Sequence, residues 1–246
     1  MLQIAPYLLL FWGKYREFIF KRYRPCYGFL FVLPLLLPSF DTFIKLTIYC
    51  GIITGLDLLG LWRLNFLAFW LPVEFNLIPA NVSKGEFAGY FTAVSLLAHY
   101  LARYRDIDFS IKSRYREVLK VYVILALLLV PAGLITGFIK FNPVIERAIS
   151  LPGIFFAVGY PEELLFRAFL FRVLKGYLNN SIILLISSLI FGLSHFNGPH
   201  GGVLYVVFAT VAGLGYGHVY LKTGSVASAA FLHTLVDFTW TVLFGG

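Results

Sequence analysis

Charged residues are scarce in this chain, and the acidic ones are the scarcest. Only 13% of the 246 residues are charged and 59% are hydrophobic, with 12 Asp and Glu against 20 Lys and Arg. Soluble domains carry about 25% charged residues, so the composition excludes an ordinary soluble fold. It predicts an all-α, polytopic transmembrane helical bundle in which residues 1–246 form a single integral membrane domain.

Three further absences narrow the class of protein. The two cysteines, Cys26 and Cys50, have no metal-ligand spacing, and we expect them to be small buried hydrophobic residues. Asp residues do not cluster, which argues against a polyprenyl transferase that holds diphosphate through Mg²⁺. No internal repeat is visible, which argues against a transporter built from pseudo-symmetric halves.

The net charge of +8 does not indicate a nucleic-acid partner. The basic residues concentrate in two blocks, at 14–24 and 103–120, that lie beside apolar runs. Such blocks are typical of cytoplasmic flanks that face an anionic lipid leaflet. We therefore expect membrane lipids, and no nucleic acid, as partners of this chain.

Apolar runs of helical length predict eight or nine spans. They lie at about 26–40, 42–62, 64–82 and 87–102 before the second basic block, and at 118–139, about 148–177, 181–196, 203–221 and 224–244 after it. Both basic blocks can be cytoplasmic only if an even number of spans separates them, and four spans satisfy this. Residues 2–12 are too short to span and predict an interfacial helix.

The most polar stretch inside an apolar run is Tyr-Pro-Glu-Glu-Leu-Leu-Phe-Arg, which contains Glu162, Glu163 and Arg167. Ionisable residues at membrane depth face the protein interior or a wet cavity, because burying an unpaired charge in lipid is costly, and they usually mark function. In a helix, Glu163 and Arg167 are four residues apart in the order that favours an ion pair. Glu162 points about 100° away from Glu163 and is expected to face another group.

Two more polar clusters follow near the ends of later apolar runs. One contains Phe191 and His195, and the other contains His233 and Asp237. The four-residue spacing in each places its two residues on one helix face. If the three helices converge, the pocket between them holds carboxylates and two imidazoles, which can activate a water and stabilise an oxyanion.

These clusters resemble the motifs of the CAAX prenyl protease and bacteriocin-processing family of intramembrane endopeptidases, which includes abortive-infection proteins. The family motifs are Glu-Glu-x-x-x-Arg, Phe-x-x-x-His and His-x-x-x-Asn/Asp. This chain has them in the same order, at Glu162, Glu163 and Arg167, at Phe191 and His195, and at His233 and Asp237. The resemblance covers residues 118–244, which we expect to be the catalytic core.

The resemblance implies a catalytic chamber within the bilayer and a role for each motif residue. Glu162 and His195 would activate the water that cleaves the peptide, and Glu163 and Arg167 would form a supporting ion pair. His233 and Asp237 match the positions that stabilise the oxyanion. The prenyl-protein branch typically has Asn at the last position, and an ionised Asp cannot donate a hydrogen bond. Asp237 is therefore either protonated or only orients His233.

The expected function is hydrolysis of a peptide bond near the membrane surface, without a metal, in a multi-pass protein of a prokaryotic cell membrane. The substrate would be a membrane-tethered or transmembrane peptide, and prenylated tails, bacteriocin precursors and sorting signals all remain open. One alternative is a zinc protease that uses Glu162, His195 and His233 as ligands, although no His-Glu-x-x-His motif is present. Another is a non-catalytic immunity protein or a transporter with a proton relay.

Several polar residues fall outside the three motifs. Asn197 and His200 lie in a glycine-rich loop and are expected in a solvated turn, with the mouth of the chamber as the alternative. Asp57 and Glu74 lie in early apolar runs and are expected to face the bundle, although the sequence names no partner for them.

Overall fold

The computed structural model describes residues 5–22, 40–78, 87–110, 114–197 and 201–244. These residues are predominantly helical and include no β-strand, so the predicted all-helical fold is confirmed. The chain divides into two compact units, Met1–Ile107 and Asp108–Gly246. That both units belong to one membrane domain stays a prediction.

The first unit is built around its last helix. Its helices are α1 (Ala5–Leu9), α2 (Gly13–Arg22), α3 (Phe40–Leu58), a short 3₁₀ turn (Trp62–Leu64), α4 (Asn65–Glu74) and α5 (Phe87–Ala102). The side chains of α5 are almost all buried, and α1, α2 and α3 pack against it. The sequence named no partner for Asp57. In the structure its partner is Arg103, whose two terminal nitrogens donate to the two carboxylate oxygens of Asp57 at 2.6 Å each. Glu74 accepts a hydrogen bond from Trp70 Nε1 at 3.2 Å.

The second unit contains all three motifs. It begins with α6 (Tyr115–Ile135) and a 3₁₀ turn (Ile145–Ser150). A continuous helical run follows, made of α7 (Leu151–Ile154), a π-helical turn (Phe155–Gly159), α8 (Tyr160–Glu163), a second π-helical turn (Leu164–Phe169) and α9 (Leu170–Leu174). The last helices are α10 (Asn180–Leu193), α11 (Val203–Thr223) and α12 (Val226–Leu243). Helix α12 packs against α6, α8 and α11, and α10 packs against α11.

Local sequence explains where several of these helices begin and end. The Asn179 side chain accepts a hydrogen bond from the backbone N–H of Ile182 and caps α10. Ser225 caps α12 in the same way through the N–H of Ser228. Helix α11 lies between α10 and α12 in the chain, and Gly224 follows its last residue. Gly224 has a φ of 66° and so adopts the left-handed conformation that favours glycine.

The predicted count of eight or nine spans is not confirmed. Among the described residues, three helices are long and apolar enough to cross a membrane, namely α6, α11 and α12. Helix α10 has only 14 residues, and α4 stops after 10 residues, before Asn76 with its φ of 55°. The predicted run at 26–40, with Cys26, lies outside the described residues except for Phe40.

Pro161 accounts for the first π-helical turn. A proline inside a helix lacks the backbone N–H and its ring clashes with the carbonyl four residues earlier. The turn Phe155–Gly159 directly precedes this position and widens the helix where that clash would occur. The acid pair Glu162 and Glu163 therefore lies in a single α-helical turn with a π-helical turn on each side.

Gly159 allows this helical run to approach α12 closely. A Cβ atom built on Gly159 would lie 2.6 Å from Thr234 Oγ1 and 2.9 Å from the carbonyl oxygen of Ala230. Both distances are shorter than real Cβ contacts. The absence of a side chain at this position thus brings α8, which begins at the next residue, against the helix that carries His233.

We predict that Gly159→Ala destabilises the protein by about 1–3 kcal/mol, the usual cost of overpacking. Gly153→Ala is the matched control in the same helical run, because a Cβ there would meet nothing within 4 Å. Alanine favours a helix over glycine, so this control should be as stable as the wild type or slightly more so. Thermal unfolding in detergent measures both variants, and equal stabilities would contradict the proposed close contact.

Candidate active site

Glu163 lies at the centre of a buried polar cluster. Its side chain is fully buried, and its Oε1 is 3.1 Å from His233 Nδ1. Its other oxygen, Oε2, is 3.2 Å from Arg167 Nε, within an ion pair whose two side chains are both inaccessible to solvent. Glu163 therefore links the first motif to the third.

Arg167 is also anchored on α11. Its Nη2 donates to the carbonyl oxygen of Gly213 at 2.8 Å. A Cβ on Gly213 would lie 3.0 Å from the same nitrogen, so glycine leaves the space that the guanidinium occupies. The guanidinium carbon also lies 4.6 Å from the centre of the Phe191 ring, a cation–π contact with the second motif.

The side chain of Glu162 points in a different direction from that of Glu163. Its side chain is 30% exposed and its Oε2 lies 3.9 Å from His233 Nε2. This Oε2 atom is itself buried and accepts no hydrogen bond from the described part of the chain. Arg167 forms its ion pair with Glu163, whereas the charged neighbours of Glu162 include both His233 and His195.

His233 lies among three carboxylates. Its Nδ1 faces Glu163, and its Nε2 is 3.3 Å from Asp237 Oδ2 and 3.9 Å from Glu162 Oε2. An imidazolium ring has an N–H donor on each nitrogen, so it matches acceptors on both sides. The ring is almost completely buried, with 3% of its side chain exposed.

His195 lies just beyond the C-terminal end of α10. Its Nδ1 is 2.8 Å from the carbonyl oxygen of Phe191, and its ring lies 4.7 Å from the Phe191 ring. Because a carbonyl oxygen only accepts, the proton of a neutral ring is on Nδ1, and Nε2 is the free acceptor. His195 is also close enough to Glu162 for the two side chains to interact electrostatically.

A cavity of about 100 Å³ adjoins the two histidines. Its wall is mostly apolar and comes from α6, α11, α12 and the segment after α6, with His195, His233 and Asp237 among its polar members. Glu162 is not part of this wall. The volume is enough for several water molecules, since about 30 Å³ of liquid corresponds to one.

Two aromatic residues of the site belong to none of the three motifs, and the sequence analysis did not predict them. The Tyr205 ring lies 4.9 Å from that of His195, and the Tyr216 ring lies 4.4 Å from that of His233. Both belong to α11, where a separation of 11 residues is about three full turns, so they share one helix face. Their 11-residue separation is the feature of the sequence that could have identified these two tyrosines.

Two further histidines, His218 and His99, have partners outside the three motifs. His218 is 3.1 Å from Glu117, and His99 is hydrogen-bonded to Tyr15 at 2.9 Å. Asn197 is exposed, whereas His200 lies outside the described residues. Within the described residues, no group of three His, Cys, Asp or Glu side chains has the arrangement needed to hold a metal ion.

These features define a helical membrane protein with an acid and histidine cluster beside an apolar cavity. Residues 144–239, which include every residue of the three motifs, match the family model described as type II CAAX prenyl endopeptidase Rce1-like. The resemblance found from the motifs is thereby confirmed. Searches of curated proteins and of solved structures gave no significant match.

The buried ion pair leads to a stability prediction. We expect Arg167→Ala to cost about 3–5 kcal/mol, because it leaves the Glu163 charge buried without its partner. Lys45→Ala is the control, since Lys45 forms an exposed ion pair with Asp41, and such pairs contribute about 0–1 kcal/mol. Thermal unfolding in detergent compares the two variants.

A double variant separates the lost charge from the lost volume. Glu163→Gln combined with Arg167→Met removes both charges and keeps much of the volume, so it should be more stable than Arg167→Ala. If the double variant were the less stable of the two, an uncompensated Glu163 charge could not explain the loss.

Proposed function

We propose that this chain is an intramembrane endopeptidase that cleaves a peptide bond with a water activated by Glu162 and His195. The family match supports an intramembrane peptidase of the CAAX-protease type. The observation that carries the proposal is the meeting of all three motifs around His233. Its two ring nitrogens face Glu162, Glu163 and Asp237, and its ring lies 5.5 Å from the Phe191 ring of the second motif. A purely structural ion pair would require only Glu163 and Arg167.

Glu162 is the proposed general base. Its Oε2 is buried, accepts no hydrogen bond from the described residues and lies on the side of the histidines. The carboxylate removes a proton from the water, and the hydroxide that forms attacks the carbonyl carbon of the scissile bond. The same proton then passes to the nitrogen of the leaving amine, so that Glu162 ends the cycle ionised.

His195 and His233 have different proposed roles because their hydrogen bonds differ. Nδ1 of His195 is bound to the Phe191 carbonyl, so Nε2 is left to accept a hydrogen bond from the water and orient it. The single Nε2–H of His233 faces Asp237, and in the proposed intermediate it is shared between Asp237 and the oxyanion. Glu163 at Nδ1 supports that donor by stabilising the protonated ring.

Asp237 is best explained as the residue that orients His233. Its Oδ2 is 3.3 Å from His233 Nε2, and the two residues are four apart on α12. This contact suits an ionised carboxylate that accepts a hydrogen bond. Of the two roles that the sequence leaves open, the geometry therefore supports orientation over donation by a protonated acid.

The proposed substrate is a membrane-tethered or transmembrane peptide that enters from the surrounding lipid. The cavity beside the histidines has a mainly apolar wall, which suits an apolar part of such a peptide. We propose a multi-pass location in a prokaryotic cell membrane. Prenylated tails, bacteriocin precursors and sorting signals remain the candidate substrates.

We predict that Glu162→Gln lowers peptide cleavage by at least about 10²–10⁴-fold, the usual contribution of a general base. The matched control is Glu117→Gln, because Glu117 is also a glutamate near a histidine in the second unit, 3.1 Å from His218. Purified protein in liposomes would be mixed with a library of membrane-tethered peptides, and the products would be identified by mass spectrometry. Equal loss in both variants, or none in Glu162→Gln, would refute the role of Glu162.

The same assay tests the zinc alternative. We expect cleavage to persist in the presence of chelators and the purified protein to lack stoichiometric zinc. Inactivation by a chelator that added zinc reverses would overturn the metal-free mechanism. Glu162, His195 and His233 would then be reassigned as candidate ligands.

The role of Asp237 is tested by two substitutions. Asp237→Asn should retain most of the activity, since its carbonyl oxygen still accepts a hydrogen bond from His233. Asp237→Ala should lose about 10²–10³-fold, as expected when an oxyanion donor is misplaced. If both variants are equally inactive in the cleavage assay, a negative charge at this position is required.

A further inference from the structure

Tyr216 stacks on the imidazole ring of His233. The two rings are nearly parallel, with 4.4 Å between their centres and 16° between their planes. The Phe191 ring stands almost perpendicular to His233, at 5.5 Å and 86°. One face of the imidazole is thus covered by a flat aromatic ring, and Phe191 limits its movement from another side.

The same tyrosine lies close to the other cation of the site. The Arg167 guanidinium carbon is 5.7 Å from the centre of the Tyr216 ring. Aromatic faces attract cations, so a single ring favours both a charged His233 and the observed place of Arg167. With only 1% of Tyr216 exposed, this ring has little freedom to move.

The carboxylates offer the Nε2 atom of His233 two competing acceptors. Glu163 lies at Nδ1, whereas Asp237 and Glu162 both lie at Nε2, at 3.3 and 3.9 Å. Rotation of the imidazole about its Cβ–Cγ bond would turn Nε2 from one carboxylate toward the other. A parallel ring in contact with the imidazole face opposes this rotation.

We propose that Tyr216 is a positioning residue for His233 and that it acts through its aromatic face, not through its hydroxyl group. The effect on catalytic rate rests on the proposed peptidase function. The effect on the orientation of the ring does not, and it can be measured without a substrate.

The kinetic test compares Tyr216→Phe with Tyr216→Leu. Phenylalanine keeps the aromatic face and should keep kcat, whereas leucine removes it and should lower kcat about 10²-fold with KM little changed, as for a misplaced catalytic group. Tyr220→Leu is the matched control, because Tyr220 is one turn further along α11 and packs against Phe171 at 5.3 Å. We expect this control to keep kcat.

Two kinetic results would overturn the proposal. If Tyr216→Leu keeps the wild-type kcat, the ring does not position His233. If Tyr216→Phe loses as much as the leucine variant, the hydroxyl group and not the face is responsible. Thermal unfolding of each variant identifies a loss of kcat that comes from unfolding.

Nitrogen NMR of ¹⁵N-histidine-labelled protein tests the orientation itself. The His233 signals are assigned by their disappearance in His233→Gln. We expect one sharp set of ring signals in the wild type, in Tyr216→Phe and in Tyr220→Leu, and broadened or multiple sets in Tyr216→Leu. Unchanged His233 signals in Tyr216→Leu would refute the proposal. If the wild type cleaves no peptide, the peptidase function fails and this measurement still decides the role of Tyr216.

Discussion

Glu163 and Arg167 are both fully removed from solvent, and the rest of the site is arranged around that fact. Burial of two charges costs several kcal/mol for each ion, and their mutual attraction compensates only when further hydrogen bonds complete the geometry. The Gly213 carbonyl, the Phe191 face and His233 supply those additional contacts. Because these groups come from α10, α11 and α12, one ion pair connects these three helices to the helical run that carries it.

The sequence was sufficient for the parts of the site that depend on local spacing. Glu163 with Arg167 and His233 with Asp237 each lie four residues apart, and the structure has both pairs in contact. The order of the three motifs was also sufficient to find the resemblance that the family model matches over residues 144–239. Such features can be predicted from the sequence alone because residues four apart lie on the same face of an α-helix.

Features that depend on contacts between helices could not be predicted in the same way. The stacking of Tyr216 on His233 and the pairing of Asp57 with Arg103 join residues from separate segments of the chain. The span count is not confirmed for another reason, since hydropathy marks apolar runs and not the ends of helices. Helix α4 shows this, because the predicted apolar run covers 64–82 while the helix ends at Glu74.

The two π-helical turns affect the direction in which the side chains of Glu162 and Glu163 point. Each π-helical turn contains more residues than an α-helical turn, so it shifts the angular register of whatever follows it. The single turn that carries Glu162 and Glu163 is bounded by such a shift on both sides. The direction in which the side chains of this turn point is therefore independent of the directions in which those of α7 and α9 point. The outer parts of this helical run can keep faces that suit their own surroundings, while the short segment between them turns two carboxylates inward.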